Sequence, residues 1–466
     1  MITSTSNFNS RKAALFGTDG IRGTANHEPI TPEIALRLAR AVGYLFSTEK
    51  NQPVFSQRPR VLIGRDTRRS GSMLEAALIA GLHSIGADAL LVGVLPTPAV
   101  ALLTYQEKAD AGIVISASHN PAEDNGLKIF RSDGYKLDDA LEQRIEELIL
   151  TPEIDTLRPT GAALGKTDTI TDALDRYVAA VKKSTPSLSL AGFKIAVDAA
   201  HGASFLSTPK ILRELGAEIF LFHATPDGTN INKGCGSMHP KEISSLTRET
   251  QAHIGIAHDG DADRVLLCDE EGTILDGDEI LAMTALHALR TGTLNKKTLV
   301  TTVMSNFGLD ECLLEAGGIV LRTAVGDRHV VEAMQQGDFN IGGEQSGHLI
   351  FRDHGTTGDG ILAALQVLRL MVETGKPLSE LKKCLTKYPQ AQRHLRVKEK
   401  PALDSLLPIT ELVKKAEQAL QNRGRVLLRY SGTEPLIRLL IEGPDEKIIN
   451  EHADKIVNAL AALIGV

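Results

Sequence analysis

The 466-residue sequence predicts an α/β protein: three related α/β domains with mixed, mostly parallel sheets, followed by a C-terminal α+β domain. Three observations carry this expectation. Apolar strand-like runs ending in polar loops recur at Val61-Leu62-Ile63, Ile195-Ala196-Val197-Asp198 and Leu299-Val300-Thr301-Thr302-Val303. The length exceeds what one core supports and corresponds to about three or four domains. The final segment changes pattern: a strand near Leu395-Arg396-Val397, a helix from about Ile409 to Gly424, a hairpin, then a closing helix rich in Ala and Ile. The recurring units are too far apart and too dissimilar to form a sequence repeat. The expected domains are 1–172, 173–274, 275–388 and 389–466.

Taken in order, Thr31-Pro32-Glu33 reads as an N-cap, a first-turn proline and an early acid. Ile34, Leu38, Ala41 and Leu45 follow at helical spacing. The strand at Val61 ends in Gly64-Arg65-Asp66-Thr67-Arg68. Leu90 to Leu103 comes nearest to a membrane span, but Pro96 and Pro98 break it, and no apolar run reaches the ~18 residues required. Gly161-Ala162-Ala163-Leu164-Gly165-Lys166-Thr167 is one residue short of a Walker A loop and follows no strand, so it reads as a flexible surface connection. A linker near Tyr388 to Arg393 is expected to flex.

Charge is mildly negative, with 51 basic against 58 acidic residues and a net charge of −7. That excludes nucleic-acid binding through a broad basic surface. Aromatic residues make up 4% with no Trp, which argues against base-stacking platforms. Cys235, Cys268, Cys312 and Cys384 are widely spaced and match no zinc pattern. They read as reduced thiols of a cytoplasmic protein. The polar stretch before Phe16 has no apolar signal core and reads as a disordered tail.

Chemistry concentrates in four short segments. Asp259-Gly260-Asp261-Ala262-Asp263-Arg264 alternates three carboxylates and adds an arginine. Hard oxygen ligands converging on one point suit a divalent cation such as Mg²⁺, and the arginine suits a bound phosphate. An EF-hand is excluded because its sixth position needs Gly and here is Arg264, and because the flanks read as buried strands. A solvated Asp/Gly turn is the plainer alternative.

In the second segment, Gly112-Ile113-Val114-Ile115 ends in Ser116-Ala117-Ser118-His119-Asn120-Pro121. Ser118 sits at a strand end without the Gly-x-Ser-x-Gly elbow of a hydrolase. It reads either as a turn former or as a phosphorylated serine whose oxygens complete the coordination of the aspartates. His119 is not taken as its base, because adjacent residues on extended chain point apart. The third segment, Arg429-Tyr430-Ser431-Gly432-Thr433-Glu434-Pro435-Leu436-Ile437-Arg438, is a phosphate cradle in chemical terms, carried on a hairpin. In the fourth, Gly342-Gly343-Glu344-Gln345-Ser346-Gly347-His348, Glu344 and Ser346 lie two apart and face one side of an extended chain, where they suit neighbouring sugar hydroxyls.

These four segments, in this order, resemble the α-D-phosphohexomutase superfamily, and the resemblance covers the chain from about Phe16 onward. Within it the details are most similar to the bacterial mutases of amino-sugar phosphates: Phe16-Gly17-Thr18-Asp19-Gly20-Ile21-Arg22-Gly23, Asn230-Ile231-Asn232, Cys235-Gly236-Ser237, Gln345, and the Arg-Tyr-Ser-Gly-Thr-Glu-Pro loop. Met238 and His329 depart from the Thr and Tyr usual there.

The resemblance implies interconversion of glucosamine 6-phosphate and glucosamine 1-phosphate, supplying precursor for UDP-N-acetylglucosamine and the cell wall. It implies phosphorylated Ser118 as donor, a sugar 1,6-bisphosphate as intermediate, and Mg²⁺ held by Ser118, Asp259, Asp261 and Asp263. Arg22 and Arg264 become clamps, and His119, Lys128 and His348 candidates for proton transfer or positioning. Glu344 and Ser346 would hold sugar hydroxyls, and Arg429, Ser431, Gly432, Thr433 and Arg438 the phosphate that is not reacting. The alternative substrates are those of phosphomannomutase/phosphoglucomutase. A turnover-free binding protein and a metal-dependent phosphatase are the rivals from other classes. The partner is a hexosamine phosphate rather than nucleic acid or membrane, and a homodimer is one assembly open to the chain.

Overall fold

The structure is a computed structural model that describes residues 15–17, 19–48, 58–421, 423–431 and 435–466. Gly432 and Thr433 of the expected phosphate loop, and the tail before Leu15, lie outside the described residues.

The first domain runs β1 (Ile21–Thr24), α1 (Pro32–Thr48), β2 (Arg60–Arg65), α2 (Ser70–Ser84), β3 (Asp88–Val94), α3 (Thr97–Gln106), β4 (Ala111–Ile115), β5 (Asp124–Arg131), α4 (Asp139–Leu150) and β6 (Thr167–Thr169). Its sheet has the order β1-β5-β4-β2-β3-β6, parallel from β4 to β6 and antiparallel at β5 and β1. Thr31 caps α1 as expected, its Oγ1 accepting from the Ile34 N–H at 3.3 Å. Every residue of β4 is buried, which is why this segment reads as a continuous apolar run.

The second domain comprises α5 (Ala173–Lys183), β7 (Lys194–Asp198), α6 (Ser207–Glu214), β8 (Glu218–Phe222), α7 (Pro240–Glu249), β9 (Ile254–His258), β10 (Val265–Asp269) and β11 (Ile274–Leu275). Its sheet runs β11-β10-β9-β7-β8, with the antiparallel pair β9 and β10 joined by the aspartate loop. The third domain comprises α8 (Gly277–Thr291), β12 (Thr298–Thr302), α9 (Gly308–Glu315), β13 (Ile319–Thr323), α10 (Asp327–Gly337), β14 (Ile341–Gly343), β15 (Leu349–Phe351), α11 (Gly360–Thr374) and α12 (Leu378–Leu381). Its sheet is β13-β12-β14-β15, and Glu344 to His348 form the turn between antiparallel β14 and β15.

The fourth domain is a three-stranded antiparallel sheet, β16 (Gln390–Arg396), β18 (Leu436–Glu442) and β17 (Arg425–Tyr430), covered by α13 (Leu407–Ala419) and α14 (Glu446–Ile464). One apolar cluster runs through the first three domains, joining Val114, Ile195, Ile256, Leu299, Leu349 and Leu365. The fourth has a core of its own around Ile409, Ile437 and Ile456.

Three local expectations change. The helix α13 ends at Ala419, not at Gly424. Gln421 turns the chain with φ +51°, and Gly424 begins the hairpin where a Cβ would lie 2.1 Å from the Glu442 carbonyl oxygen. The Walker-like segment is tied down rather than free: Thr167–Thr169 pairs with β3, and the Lys166 N–H donates to Asp88 Oδ1 at 2.9 Å. The expected linker is mostly strand. Tyr388 is pinned by Asn306 through two hydrogen bonds of 2.9 and 3.0 Å, and β16 starts at Gln390, which leaves Pro389 as the joint.

Candidate active site

The site forms where the three α/β sheets present the C-terminal ends of β4, β9 and β14, the usual place for ligands in such sheets. Ser118 follows β4 with φ +53°, in the left-handed region. This conformation brings adjacent side chains together, and Ser118 Oγ lies 3.3 Å from His119 Nδ1. The expectation that these two residues point apart is therefore corrected: it assumed extended backbone.

The loop is held by fully buried polar groups. Ser116 Oγ accepts the Ser118 N–H at 2.9 Å and donates to Asp66 Oδ2 at 2.6 Å. Arg68 pairs with Asp66 at 2.9 Å and donates to the carbonyls of Ser118, Asn120, Pro121 and Asp124. From the second domain, Asn232 Nδ2 donates to the same Ser118 and Asn120 carbonyls, each at 2.9 Å. A buried charge satisfied this fully fixes loop geometry, and removing it would leave several carbonyls without partners.

The aspartate loop meets Ser118 directly, with Ser118 Oγ donating to Asp259 Oδ2 at 2.5 Å. Gly260 permits this approach, since a Cβ there would lie 2.5 Å from the Ser118 carbonyl oxygen. Asp259, Asp261 and Asp263 are all buried, and they bring ligand oxygens within 4.8 Å of one another. Asp261 also accepts from Thr97 Oγ1 at 2.7 Å. Lys128 Nζ faces the cluster from β5, 2.8 Å from Asp261 and 3.1 Å from Asp263.

Burial, followed by repulsion from Asp263 and Asp261, pushes the Asp259 carboxyl well above its usual range. Burial acts the same way on Asp263, but Lys128, His348 and Arg264 outweigh it and hold that carboxyl well below its usual range. Asp261 Oδ1 and Asp263 Oδ1 are buried and accept no hydrogen bond among the described residues. Orphaned anionic oxygens in this arrangement fit a hard divalent cation.

The sugar loop is stitched to the aspartate loop. The Val265 N–H donates to the Gly347 carbonyl at 3.1 Å, and Arg264 bridges to His348. Gly347, at φ +89°, leaves no room for a side chain, because a Cβ would sit 2.2 Å from the Val265 oxygen. Glu344 and Ser346 come together as expected, Ser346 Oγ donating to Glu344 Oε2 at 3.4 Å, though on a turn and not on extended chain.

His348 lies between two carboxylates, its Nδ1 3.7 Å from Asp263 and its Nε2 3.4 Å from Asp327. Burial would hold its pKa down, but these carboxylates prevail and raise it. The Gly358 N–H, 3.1 Å from Nε2, opposes this by favouring a lone pair there. Asp327 in turn pairs with Lys136 at 2.5 Å, and Lys136 pairs with Asp19, which also binds Arg22. Lys128 lies 3.4 Å from Asp19. Arg22 and Lys128 thus belong to one partly buried network that continues through Asp19, Lys136 and Asp327 to the sugar loop.

In the fourth domain Arg429 on β17 stands directly across from Arg438 on β18, so two guanidiniums share one face. Arg429 Nη2 lies 3.8 Å from the sulfur of Met304 at the end of β12. Ser431 is held by its N–H to the Leu436 carbonyl at 2.8 Å and by Lys400 Nζ to its carbonyl at 2.6 Å. Met238 and His329 have half-exposed side chains, and His329 pairs only loosely with Glu332 at 3.7 Å.

Sequence reasoning did not find Asp66, Arg68, Thr97, Lys136, Asn232 and Asp327 as parts of this site. Asn232 was visible only inside the Asn-Ile-Asn resemblance, and the rest reach the site from the loop after β2, the loop after β5 and the first residues of α3 and α10. The four expected segments do converge on two bodies: the first, second and fourth in the α/β part, and the phosphate loop on the C-terminal domain.

A fold of three α/β domains and one α+β domain, with a serine loop against an aspartate loop, defines a class. The chain belongs to the phosphoglucomutase/phosphomannomutase family. It matches that family's alpha/beta/alpha domain I over residues 13–154, domain II over 175–272, domain III over 276–388 and the C-terminal domain over 394–459.

Among its relatives, the phosphoglucosamine mutase of Pelobacter propionicus is 50% identical over 452 residues, covering 97% of this chain and 99% of that protein. The phosphoglucosamine mutase of Geobacter metallireducens is 51% identical over 452 residues, again covering 97% and 99%. In fold, the chain is similar to a phosphoglucomutase/phosphomannomutase family protein of Burkholderia thailandensis, with a TM-score of 0.78, 23% identity, and coverage of 96% and 97%. It is also similar to the Aspergillus fumigatus N-acetylphosphoglucosamine mutase solved with GlcNAc-6P and magnesium, with a TM-score of 0.65, 17% identity, and coverage of 96% and 95%.

Proposed function

We propose that this chain is an isomerase that interconverts glucosamine 6-phosphate and glucosamine 1-phosphate, through phosphoserine at Ser118 and a glucosamine 1,6-bisphosphate. The observation that carries this reading is the buried contact of Ser118 Oγ with Asp259, inside a cluster of three aspartates whose free oxygens fit a cation. The identity to phosphoglucosamine mutases along nearly the whole chain supports the amino sugar over the substrates of phosphomannomutase/phosphoglucomutase.

Phosphoserine at 118 gives its phosphoryl group to a sugar hydroxyl. The P–Oγ bond breaks, a P–O bond to the sugar forms, the hydroxyl proton leaves to a base, and Oγ is left as an alkoxide that takes up a proton. The bisphosphate turns around, and its other phosphoryl group returns to Oγ. Asp259, Asp261, Asp263 and a phosphoserine oxygen would hold Mg²⁺. When bound, that ion supplies charge stabilisation to the transferring group.

His119 is kept largely neutral by burial, with Arg264 and Arg22 adding to the effect, at a pKa of about 4. The neutral ring can share a hydrogen bond with Oγ, 3.3 Å from Nδ1, while the lowered pKa makes it a weak base, so its role is positioning more than proton transfer. Lys128 is held cationic: burial lowers it, but Asp19, Asp261 and Asp263 raise it well above its usual value. We assign it to positioning and charge, with Arg22 and Arg264 as clamps. Glu344, Ser346 and His348 hold the sugar, and Arg429, Ser431, Gly432, Thr433 and Arg438 hold the distal phosphate.

The domain borders fitting these roles are 1–172, 173–274, 275–388 and 389–466. The same reading places the protein in the cytoplasm, with a homodimer as the assembly to look for. Among the described residues no helix is long and apolar enough to cross a membrane. The test is kcat/KM on the 6-phosphates of glucosamine, glucose and mannose. Glucosamine 6-phosphate should win clearly, and a win for glucose or mannose moves the substrate assignment while leaving the site roles intact.

A further inference from the structure

Behind the serine loop, the second domain gathers three metal-ligating side chains of different chemistry. Asp198 ends β7, His223 follows β8, and Cys235 sits in the loop that begins at Asn230. One ligand atom from each lies within 4.8 Å of the other two. Among the described residues the catalytic aspartates are the one other group of this kind.

The carboxylate is locked in orientation. Asp198 Oδ1 accepts the Ala200 N–H at 2.9 Å, and Oδ2 accepts the Gly236 N–H at 2.7 Å. Outer hydrogen bonds of this kind commonly orient ligating carboxylates. His223 Nδ1 lies 3.2 Å from Asp198 Oδ1, off the line of a well-directed hydrogen bond; the contact with this carboxylate raises the imidazole pKa, and an arriving cation would take the place of the ring proton between them. Asp198 and Cys235 are fully buried, and the His223 side chain is 26% exposed, which leaves a path from solvent. Ala200, His201 and His223 all adopt left-handed backbone, at φ +53°, +49° and +47°. Non-glycine residues hold that conformation at a cost.

We propose that Asp198, His223 and Cys235 form a second cation site, distinct from the catalytic aspartates, that takes zinc or a similar first-row ion. Thiolate, imidazole and carboxylate together select such an ion over Mg²⁺, which prefers oxygen ligands alone. Binding converts the Cys235 thiol to thiolate, its proton passing to solvent, and a water completes the coordination. The site fastens the ends of β7 and β8 to the loop that carries Asn232. Since Asn232 donates to the Ser118 and Asn120 carbonyls, an ion here braces the wall behind the serine loop.

Cobalt distinguishes this site from the catalytic one, because only a thiolate ligand gives an intense near-ultraviolet sulfur-to-cobalt charge-transfer band. Titration of the full-length protein with Co²⁺ should produce that band and saturate it at one ion per chain. Asp261→Asn should keep the band. Cys235→Ser should abolish it, with its fold checked by circular dichroism. His223→Ala, at a partly exposed position, should weaken Co²⁺ binding at the band by at least about tenfold. Absence of the band in the unmodified protein with Co²⁺ in excess overturns the proposal. So does a band that survives Cys235→Ser, or one unaffected by His223→Ala.

Discussion

Ser118 is aimed by backbone more than by side chain. Its left-handed φ turns Oγ toward both Asp259 and His119, while Arg68 and Asn232 fix its carbonyl. Ser118→Ala should therefore abolish nearly all turnover yet leave the protein folded, at a cost of about 1–3 kcal/mol, since Asp259 Oδ2 loses its donor and the contact with His119 goes. Thermal denaturation beside a turnover assay checks both halves, and a large drop in Tm would assign Ser118 a structural role instead. His119 offers a second test at this scale. Its folded pKa of about 4 lies below the ordinary 6.5, with burial the leading cause. A depressed histidine contributes stability above its unfolded pKa and loses it as pH falls through the folded one. Its ring resonances should stay nearly flat between about pH 5 and 8, and an NMR midpoint near 6.5 would contradict this.

At the scale of elements, the site is made of turns that join or follow buried strands. The strands were legible because burial on both faces leaves continuous apolar runs, as in β4 and β9. The turns were legible because their chemistry is dense: three aspartates in five residues, or a glutamate and a serine flanked by glycines. What holds the turns in place was not legible. Arg68 lies 50 residues before Ser118 and Asn232 lies 114 after it, and their convergence depends on how the first two sheets pack. The chain from Asp19 through Lys136 to Asp327 spans more than 300 residues and has no local signature. Asn232→Ala tests the cross-domain clamp. Removing one donor from two buried carbonyls should cost about 1–3 kcal/mol. It should also lower kcat more than it changes KM, because the serine loop and not the sugar loop is disturbed. Equal loss in both parameters would count against the clamp.

For the whole molecule, the division of cores decides what can move. The first three domains share one apolar cluster, so they resist relative motion, while the fourth has its own core and joins the rest at Pro389. Among the described residues, polar ties to the third domain include Arg425 to the Ser305 carbonyl at 2.7 Å and the Phe307 N–H to Glu442 at 3.3 Å. A turning bisphosphate needs such a clamp, one that can release and regrip. Saturating substrate should therefore reduce the radius of gyration in solution scattering, and superimposable curves with and without ligand would rule out domain closure.

The central claim is that the phosphoryl group passes through Ser118, and the most direct measurement is to catch it there. The enzyme, loaded with phosphate-labelled glucose 1,6-bisphosphate and acid-quenched, can be digested and mapped by mass spectrometry. The label should appear on Ser118, and excess glucosamine 6-phosphate should remove it within the time of a single turnover. A label found only on Ser116, or one on Ser118 that glucosamine 6-phosphate cannot discharge, would contradict the account.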